Sequence, residues 1–259
     1  MPIANLPDLS VNYSLSGPDG APVLIFSNSL GANLSMWDLQ IPKLEKEFRV
    51  LRFDTRGEGR TAVTPGPYTI EQLGDDVLRL MDFLNVPRAH FCGLSMGGMI
   101  GMWLGLNAPN RLAKLVLSNT AAKIGTADAW NTRIEKVRQG GMKAVSATVC
   151  ERWFTPGFRT REPAIFARTQ QMIESMPPEG YAACCAAVRD FDERSRVAQI
   201  RTPTLVIAGT HDAATPVADG RWLSEQIPGA RYAELDAAHL SNIEASANFT
   251  AALLDFLGA

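Results

Sequence analysis

The chain is poor in histidine, in excess charge of either sign and in long apolar runs, and each shortage removes a class of function. Lys and Arg number 25 against 27 Asp and Glu, for a net charge of −2, and no long basic run occurs. No footing is left for a nucleic-acid or anionic-membrane partner held by charge. The longest apolar stretch, Phe91 to Leu106, is interrupted by five glycines and a serine. It reads as a buried strand, turn and helix rather than a membrane span. The first eight residues, MPIANLPD, lack a basic region followed by an apolar core, which predicts a cytoplasmic chain without a secretory signal. The four cysteines, Cys92, Cys150, Cys184 and Cys185, have no metal-ligand spacing, and the adjacent pair is a poor candidate for a bridge. We expect four reduced, buried thiols and no bound metal. Internal repeats and low-complexity segments are also missing.

What remains is an alternation of short β-branched runs with helical patterns. Val11 to Leu15, Val23 to Phe26 and Val50 to Phe53 read as strands. Ile70, Leu73, Val77, Leu80, Met81 and Leu84 recur at helical spacing. Ala89 to Cys92 reads as a strand, Met96 to Ala108 as a helix stopped by Pro109, and Leu115 to Ser118 as a strand. From about Ala121 to Ala198 strand signals vanish and a helical segment rich in aromatics follows, broken at Gly140-Gly141, Thr155-Pro156-Gly157 and Pro177-Pro178. The alternation resumes with Pro203 to Ala208 (strand), Asp219 to Gln226 (helix), Ala230 to Leu235 (strand) and a closing helix from Ile243 to Leu257. Such alternation implies a mostly parallel central sheet flanked by helices, with right-handed crossovers. The expected organisation is an α/β core built from residues 1–120 and 198–259, with residues 121–197 inserted as a helical cap, or lid.

The chemistry is concentrated in Gly93-Leu94-Ser95-Met96-Gly97, at the junction of an expected strand and helix. Chance gives a G-x-S-x-G in roughly one chain in ten of this length, so the context carries the inference. At a strand-to-helix junction it is the nucleophile elbow of the α/β-hydrolase fold: the turn is too tight for side chains two places either side of the serine. A serine hydroxyl needs a base, and the base needs a group that fixes its tautomer. Of the three histidines, His90 lies inside a strand and His211 beside an aspartate after the penultimate strand. His239 follows the last strand, where this fold carries its base. The acid belongs after the preceding strand, which points to Asp212; Leu115 to Ser118 is followed by Asn119-Thr120-Ala121-Ala122, with no carboxylate until Asp128. Asp236 is too close to His239 in sequence to reach its far ring nitrogen. The predicted catalytic set is Ser95, Asp212 and His239, in the chain order the elbow fold requires.

A tetrahedral intermediate needs two backbone donors. One is the amide of Met96. The other comes from Ser27-Asn28-Ser29-Leu30-Gly31, with Leu30 favoured over Ser29. Asp54-Thr55-Arg56-Gly57-Glu58-Gly59 is read as a structural turn beside the site, with Glu58 as the residue that could still face the cleft.

Taken with Ala237-Ala238-His239-Leu240-Ser241-Asn242-Ile243-Glu244 and Gly209-Thr210-His211-Asp212, these segments resemble the 3-oxoadipate enol-lactonases, which act in the β-ketoadipate pathway of bacterial protocatechuate and catechol breakdown. The Asn-Ser-Leu-Gly loop departs from the His-Gly loop usual in the superfamily, and Glu58 stands where relatives usually carry histidine or another residue. The resemblance implies hydrolysis of a lactone ester through an acyl-enzyme, with neither metal nor organic cofactor, acting on a small carboxylate-bearing substrate. A carboxylate needs a cationic or hydrogen-bonding partner in an apolar cleft. The inserted segment supplies Arg133, Lys136, Arg138, Arg152 and Arg168, with Trp130 and Trp153 as walls and Ser29 at the rim. Arg133, at helical spacing from Trp130, is favoured. A general carboxylesterase or C–C bond hydrolase shares the same catalytic set; a ligand receptor on this scaffold would be expected to lack one of its members. Ser95 at the elbow disfavours a dehalogenase or epoxide hydrolase, which carry aspartate there. Oligomeric state is not legible in the sequence.

Overall fold

The computed structural model describes residues 1–258. Eight strands form a single sheet: β1 (Ile3–Leu6), β2 (Leu9–Ser16), β3 (Val23–Ser27), β4 (Arg49–Phe53), β5 (Ala89–Leu94), β6 (Leu112–Ser118), β7 (Thr204–Gly209) and β8 (Arg231–Leu235). Their spatial order is β1-β2-β4-β3-β5-β6-β7-β8. β1 and β2 are antiparallel, β2 meets β4 antiparallel, and every pairing from β4 to β8 is parallel. β3, β4, β5 and β7 are almost wholly buried, as expected where helices cover both faces of a parallel sheet.

The helices are α1 (Ile41–Leu44), α2 (Ile70–Phe83), α3 (Met96–Asn107), α4 (Ala127–Gly140), α5 (Lys143–Trp153), α6 (Pro156–Arg161), α7 (Pro163–Glu174), α8 (Pro178–Asp190), α9 (Val217–Gln226), α10 (Ser241–Glu244) and α11 (Ser246–Gly258). α2 begins where the Thr69 side chain accepts from the Gln72 amide, and it buries Ile70, Leu73, Val77, Leu80 and Met81 along one stripe. α3 is apolar on nearly every side and sits against β5 and β6 under the centre of the sheet. Burying each leucine or isoleucine in this core contributes about 1.5–3 kcal/mol.

α4 to α8 all lie between β6 and β7. The breaks in the sequence pattern mark their ends. Gly141, at φ +66°, terminates α4. Thr155 caps α6 and Pro156 opens it, while Pro177 precedes α8. The N-terminal end of α8 meets the loop after β4 without side chains between them: a Cβ on Gly180 would lie 1.8 Å from the Gly57 carbonyl oxygen.

β1, the single-turn α1 and the closing helix differ from expectation. β1 carries no sequence signal, since four residues are too few to show a period; it is held by its register with β2, Ile3 opposite Asn12. The closing helix is divided, α10 ending at Ala245 (φ −116°, ψ 42°) before α11 begins. The Glu244 carboxylate at that break accepts from the Thr155 and Ala238 amides.

The loop after β4 is fastened to α2 by a two-pronged ion pair. Arg56 Nε donates to Asp76 Oδ2 at 2.7 Å and Nη2 to Oδ1 at 2.6 Å, with both side chains almost excluded from water. Removing one partner strands the other charge in the interior. Arg56→Met is therefore expected to lower unfolding free energy by about 3–5 kcal/mol in urea titrations. A loss of about 0–1 kcal/mol, as for a surface pair, would show that water reaches Asp76.

Candidate active site

The C-terminal ends of the parallel strands lie side by side. Register places Ser27 beside Gly93, Leu94 beside Ser118 and Ser118 beside Ile207. The loops that leave these strands are consequently neighbours, and they carry the residues singled out in the sequence.

Ser95 has φ +58° and ψ −114°, a conformation that L-residues adopt only when the surroundings impose it. The imposition is visible. A Cβ at Gly93 would lie 2.0 Å from the Gly97 carbonyl oxygen, and one at Gly97 would lie 2.2 Å from the Ser27 carbonyl oxygen. The Ser95 amide donates to Ser118 O at 3.0 Å and the Gly97 amide to Asn28 O at 3.0 Å. Thr120 Oγ1 donates to the Ser95 carbonyl at 2.7 Å. The turn is thus fixed from both neighbouring strands, with Ser95 at the N-terminus of α3.

His239 Nδ1 lies 2.8 Å from Asp212 Oδ2, and the two side chains are 3% and 0% exposed. Asp212 is surrounded by donors. Oδ1 accepts from the Ala214 and Thr215 amides at 2.8 and 3.0 Å, and Oδ2 from Thr215 Oγ1 at 2.7 Å and Asn119 Nδ2 at 3.0 Å. Burial alone would raise its pKa; the charge and hydrogen bond of His239, with the Thr215 amide and Asn119, overcome burial and hold the carboxyl at about 2. Asn119, at φ +44°, also donates to Ala238 O at 3.2 Å and accepts from Ser241 Oγ at 2.6 Å. One side chain therefore holds Asp212 and both flanks of His239. Asn119 occupies the strand end after which the sequence carries no carboxylate until Asp128, and its amide plays a supporting part that no sequence pattern marks.

The other two histidines lie elsewhere. His90 is in β5, edge-on to Phe48. His211 pairs at the surface with Asp236 at 2.9 Å.

One cavity of about 240 Å³ is lined by Ser29, Leu30, Ser95, Trp130, Arg133, Trp153 and His239 among others. Asp212 stands behind His239, and Met96 is buried directly after Ser95. Of the cationic candidates, Arg133 and Arg152 reach this cavity; Lys136 lines an adjoining one, Arg138 a separate one, and Arg168 is exposed on α7. Arg133 is half-buried, with its guanidinium carbon 4.7 Å from the Trp130 ring centroid. Trp130 is fixed in turn by Nε1 donating to Ile124 O at 2.7 Å. The Trp153 ring stacks at 6.5 Å on His239, and its carbonyl accepts from the Leu240 amide at 3.1 Å. Ile124, Val149, Val188, Ala213 and Ala214 complete an apolar wall that no sequence pattern indicated.

The loop after β3 is held by side chains on several sides. Asn28 donates to Phe53 O at 2.8 Å and accepts from Trp37 Nε1 at 2.9 Å. The Gly31 amide donates to Glu58 Oε1 at 2.6 Å, and the Leu34 amide to Asp54 Oδ1 at 2.8 Å. Glu58, which the sequence allows to face the cleft, is fully buried behind this loop and does not line the cavity. The four cysteines are free and buried. Among the described residues no cluster of three His, Cys, Asp or Glu could hold a metal ion, and no helix is long and apolar enough to cross a membrane.

Residues 22–145 match the alpha/beta hydrolase fold family. Over 92% of this chain and 89% of its own length, 3-oxoadipate enol-lactonase 2 of Acinetobacter baylyi is 45% identical; 3-oxoadipate enol-lactonase 1 of the same organism is 39% identical over 95% and 92%. The crystal structure of the enol-lactonase from Burkholderia xenovorans LB400 superposes over the full length of both chains with a TM-score of 0.98 at 46% identity. An elbow serine, a buried histidine–aspartate pair and full-length likeness to these proteins agree, and the chain belongs to the 3-oxoadipate enol-lactonase family of α/β hydrolases, a family of carboxylic-ester hydrolases.

Proposed function

We propose that this chain hydrolyses 3-oxoadipate enol-lactone to 3-oxoadipate, using Ser95 as nucleophile, His239 as general base and acid, and Asp212 as the group that orients and stabilises the imidazolium. The observation that carries the reading is the Asp212–His239 pair facing the same cavity as the strained Ser95. The names of the relatives supply the substrate.

The steps follow from the geometry. Asp212 engages Nδ1 of His239, leaving Nε2 to take the proton of Ser95 Oγ as that oxygen bonds to the lactone carbonyl carbon. The carbonyl π pair moves onto oxygen, where the amides of Leu30 and Met96 stabilise it. Collapse breaks the ring C–O bond. The departing enol oxygen takes the proton from His239, and the enol becomes a ketone. Water then gives a proton to His239 and bonds to the acyl carbon, and Ser95 leaves with that proton. The helical insertion, residues 121–197, acts as the cap: Trp130 and Trp153 form walls and Arg133 meets the substrate carboxylate. Trp130 against the Arg133 guanidinium limits its freedom, which favours it over the exposed Arg152.

The decisive comparison is steady-state hydrolysis of the enol-lactone beside a neutral short-chain aryl ester. A much higher kcat/KM for the lactone is expected; equal or better turnover of the ester would make the chain a general carboxylesterase of this fold. Ser95→Ala is expected to lower kcat by about 10⁴-fold or more, with the circular-dichroism spectrum unchanged; retained turnover would remove Ser95 from the reaction.

Arg133→Ala is expected to raise KM for the carboxylate-bearing lactone about tenfold or more while leaving neutral esters near wild type. Equal effects on both would place carboxylate recognition elsewhere.

The Asp212 carboxyl adds a pH dependence of known sign. Its folded value, about 2, lies below the ordinary value. The ionised form therefore stabilises the fold above pH ~4, and that contribution is lost as pH falls towards the folded value. The stability difference between wild type and Asp212→Asn is expected to shrink by about 1 kcal/mol between pH 5 and pH 3, read from urea midpoints. A constant difference would mean that Asp212 titrates at the ordinary value.

A further inference from the structure

Behind the loop after β3 lies a carboxyl group that the reaction as written does not use. Glu58 is fully buried. Its Oε1 accepts from the Gly31 amide at 2.6 Å, and its Oε2 has no hydrogen-bond partner among the described residues. Gly31 is the residue after Leu30, so this bond fixes the peptide unit that follows Leu30, one Cα away from the unit that carries the Leu30 N–H. The other face of Gly31 is closed by the insertion: a Cβ there would lie 3.0 Å from the Tyr181 ring and 3.8 Å from Trp153. Glu58 is itself immobile. Its amide donates to Thr55 O at 2.9 Å, its carbonyl accepts from Thr61 N at 3.1 Å, and the preceding Gly57 abuts Gly180 of α8 with no room for a side chain.

We propose that Glu58 is a positioning residue for the reaction, fixing the direction of the Leu30 amide by holding the Gly31 amide from behind. The proposal rests on Leu30 being an oxyanion donor. Such a donor acts only if it is aimed at the place the oxyanion will occupy before charge develops there, so a misdirected amide costs kcat more than KM.

The electrostatics of the pocket fit an uncharged acid. Burial, followed at a distance by the charge of Asp54, pushes the Glu58 carboxyl well above its ordinary value, and the single hydrogen bond from Gly31 does not offset this. The titratable groups facing it, Tyr181, Cys184 and Cys185 on α8, are themselves shifted towards their neutral forms by burial. A neutral Glu58 brings a hydrogen-bond acceptor to Gly31 without setting a negative charge behind the oxyanion. Glutamine is its uncharged isostere.

The test compares Glu58→Gln, which keeps an acceptor at Oε1, with Glu58→Met and Glu58→Leu, which fill similar volume without one. Melting temperatures identify the variants that fold. The expected result is a kcat for ester hydrolysis lowered roughly 10- to 100-fold in the Met and Leu variants, with KM within about twofold of wild type, and a kcat in Glu58→Gln at least about tenfold above theirs. Equal kcat in Glu58→Gln and either folded apolar variant would overturn the proposal, as would a loss carried by KM alone. Ser95→Ala measured in parallel separates the two levels of the argument. Turnover surviving in it would defeat the catalytic reading as a whole. An inactive Ser95→Ala beside a Glu58→Met variant at wild-type kcat would defeat the role of Glu58 alone.

Discussion

The site depends on one close approach of backbone to backbone. The first turn of α3 comes so near the end of β3 that the Ser27 carbonyl oxygen occupies the space where any Cβ on Gly97 would sit. That contact brings the amide after Ser95 and the loop carrying Leu30 to the same edge of the sheet. It also forces Ser95 into its positive-φ conformation, with the hydrogen bonds from Ser95 to Ser118 and from Gly97 to Asn28 holding the turn on either side. The conformational cost, of order 1–3 kcal/mol, is met by a sheet whose central strands are buried on both faces.

Two buried carboxyl groups near this edge are shifted in opposite directions, and their surroundings explain the difference. Asp212 receives hydrogen bonds from Ala214, Thr215, Asn119 and His239, and it remains charged. Glu58 receives one, from Gly31, and lies near another carboxylate. Burial opposes charge at both positions; at Asp212 the charge and hydrogen bond of His239, with the Thr215 amide and Asn119, overcome it, while at Glu58 the single bond from Gly31 does not. The proposed reaction calls for this asymmetry, with negative charge beside the imidazole and none behind the oxyanion.

Much of this was legible from order along the chain. The central strands of the parallel sheet announced themselves as short β-branched runs, and Ser95, Asp212 and His239 were singled out because each lies in the turn that follows such a run. Trp130 and Arg133 fall on one side of α4 at helical spacing, and both face the cavity. Asn119, Glu58 and Glu244 were not legible as supports. Their partners lie far away in sequence, Asn119 bonding to residues 93 and 122 positions on and Glu244 to one 89 positions back. No local period encodes such a bond. The division of the last helix at Ala245 was not legible either, since no proline or glycine marks it in the sequence.

The seams between the insertion and the core bear on how such a protein could acquire new specificity. Both ends of the insertion leave adjacent strands, β6 and β7, so a recombination event could exchange the whole cassette without altering sheet register. Yet several contacts cross the seam, among them the Trp153 carbonyl on the Leu240 amide, Thr155 on Glu244, and Gly180 against Gly57. Two of them involve the loop and short helix that carry His239. A grafted cassette without a donor at the second position would leave Glu244 short of a partner, and one without a glycine at the third would collide with the Gly57 carbonyl, however well it fitted a new substrate. Variation confined to cavity-facing positions of the resident insertion, such as Val149 and Val188, avoids that penalty, which makes point substitution the easier route to a changed substrate range.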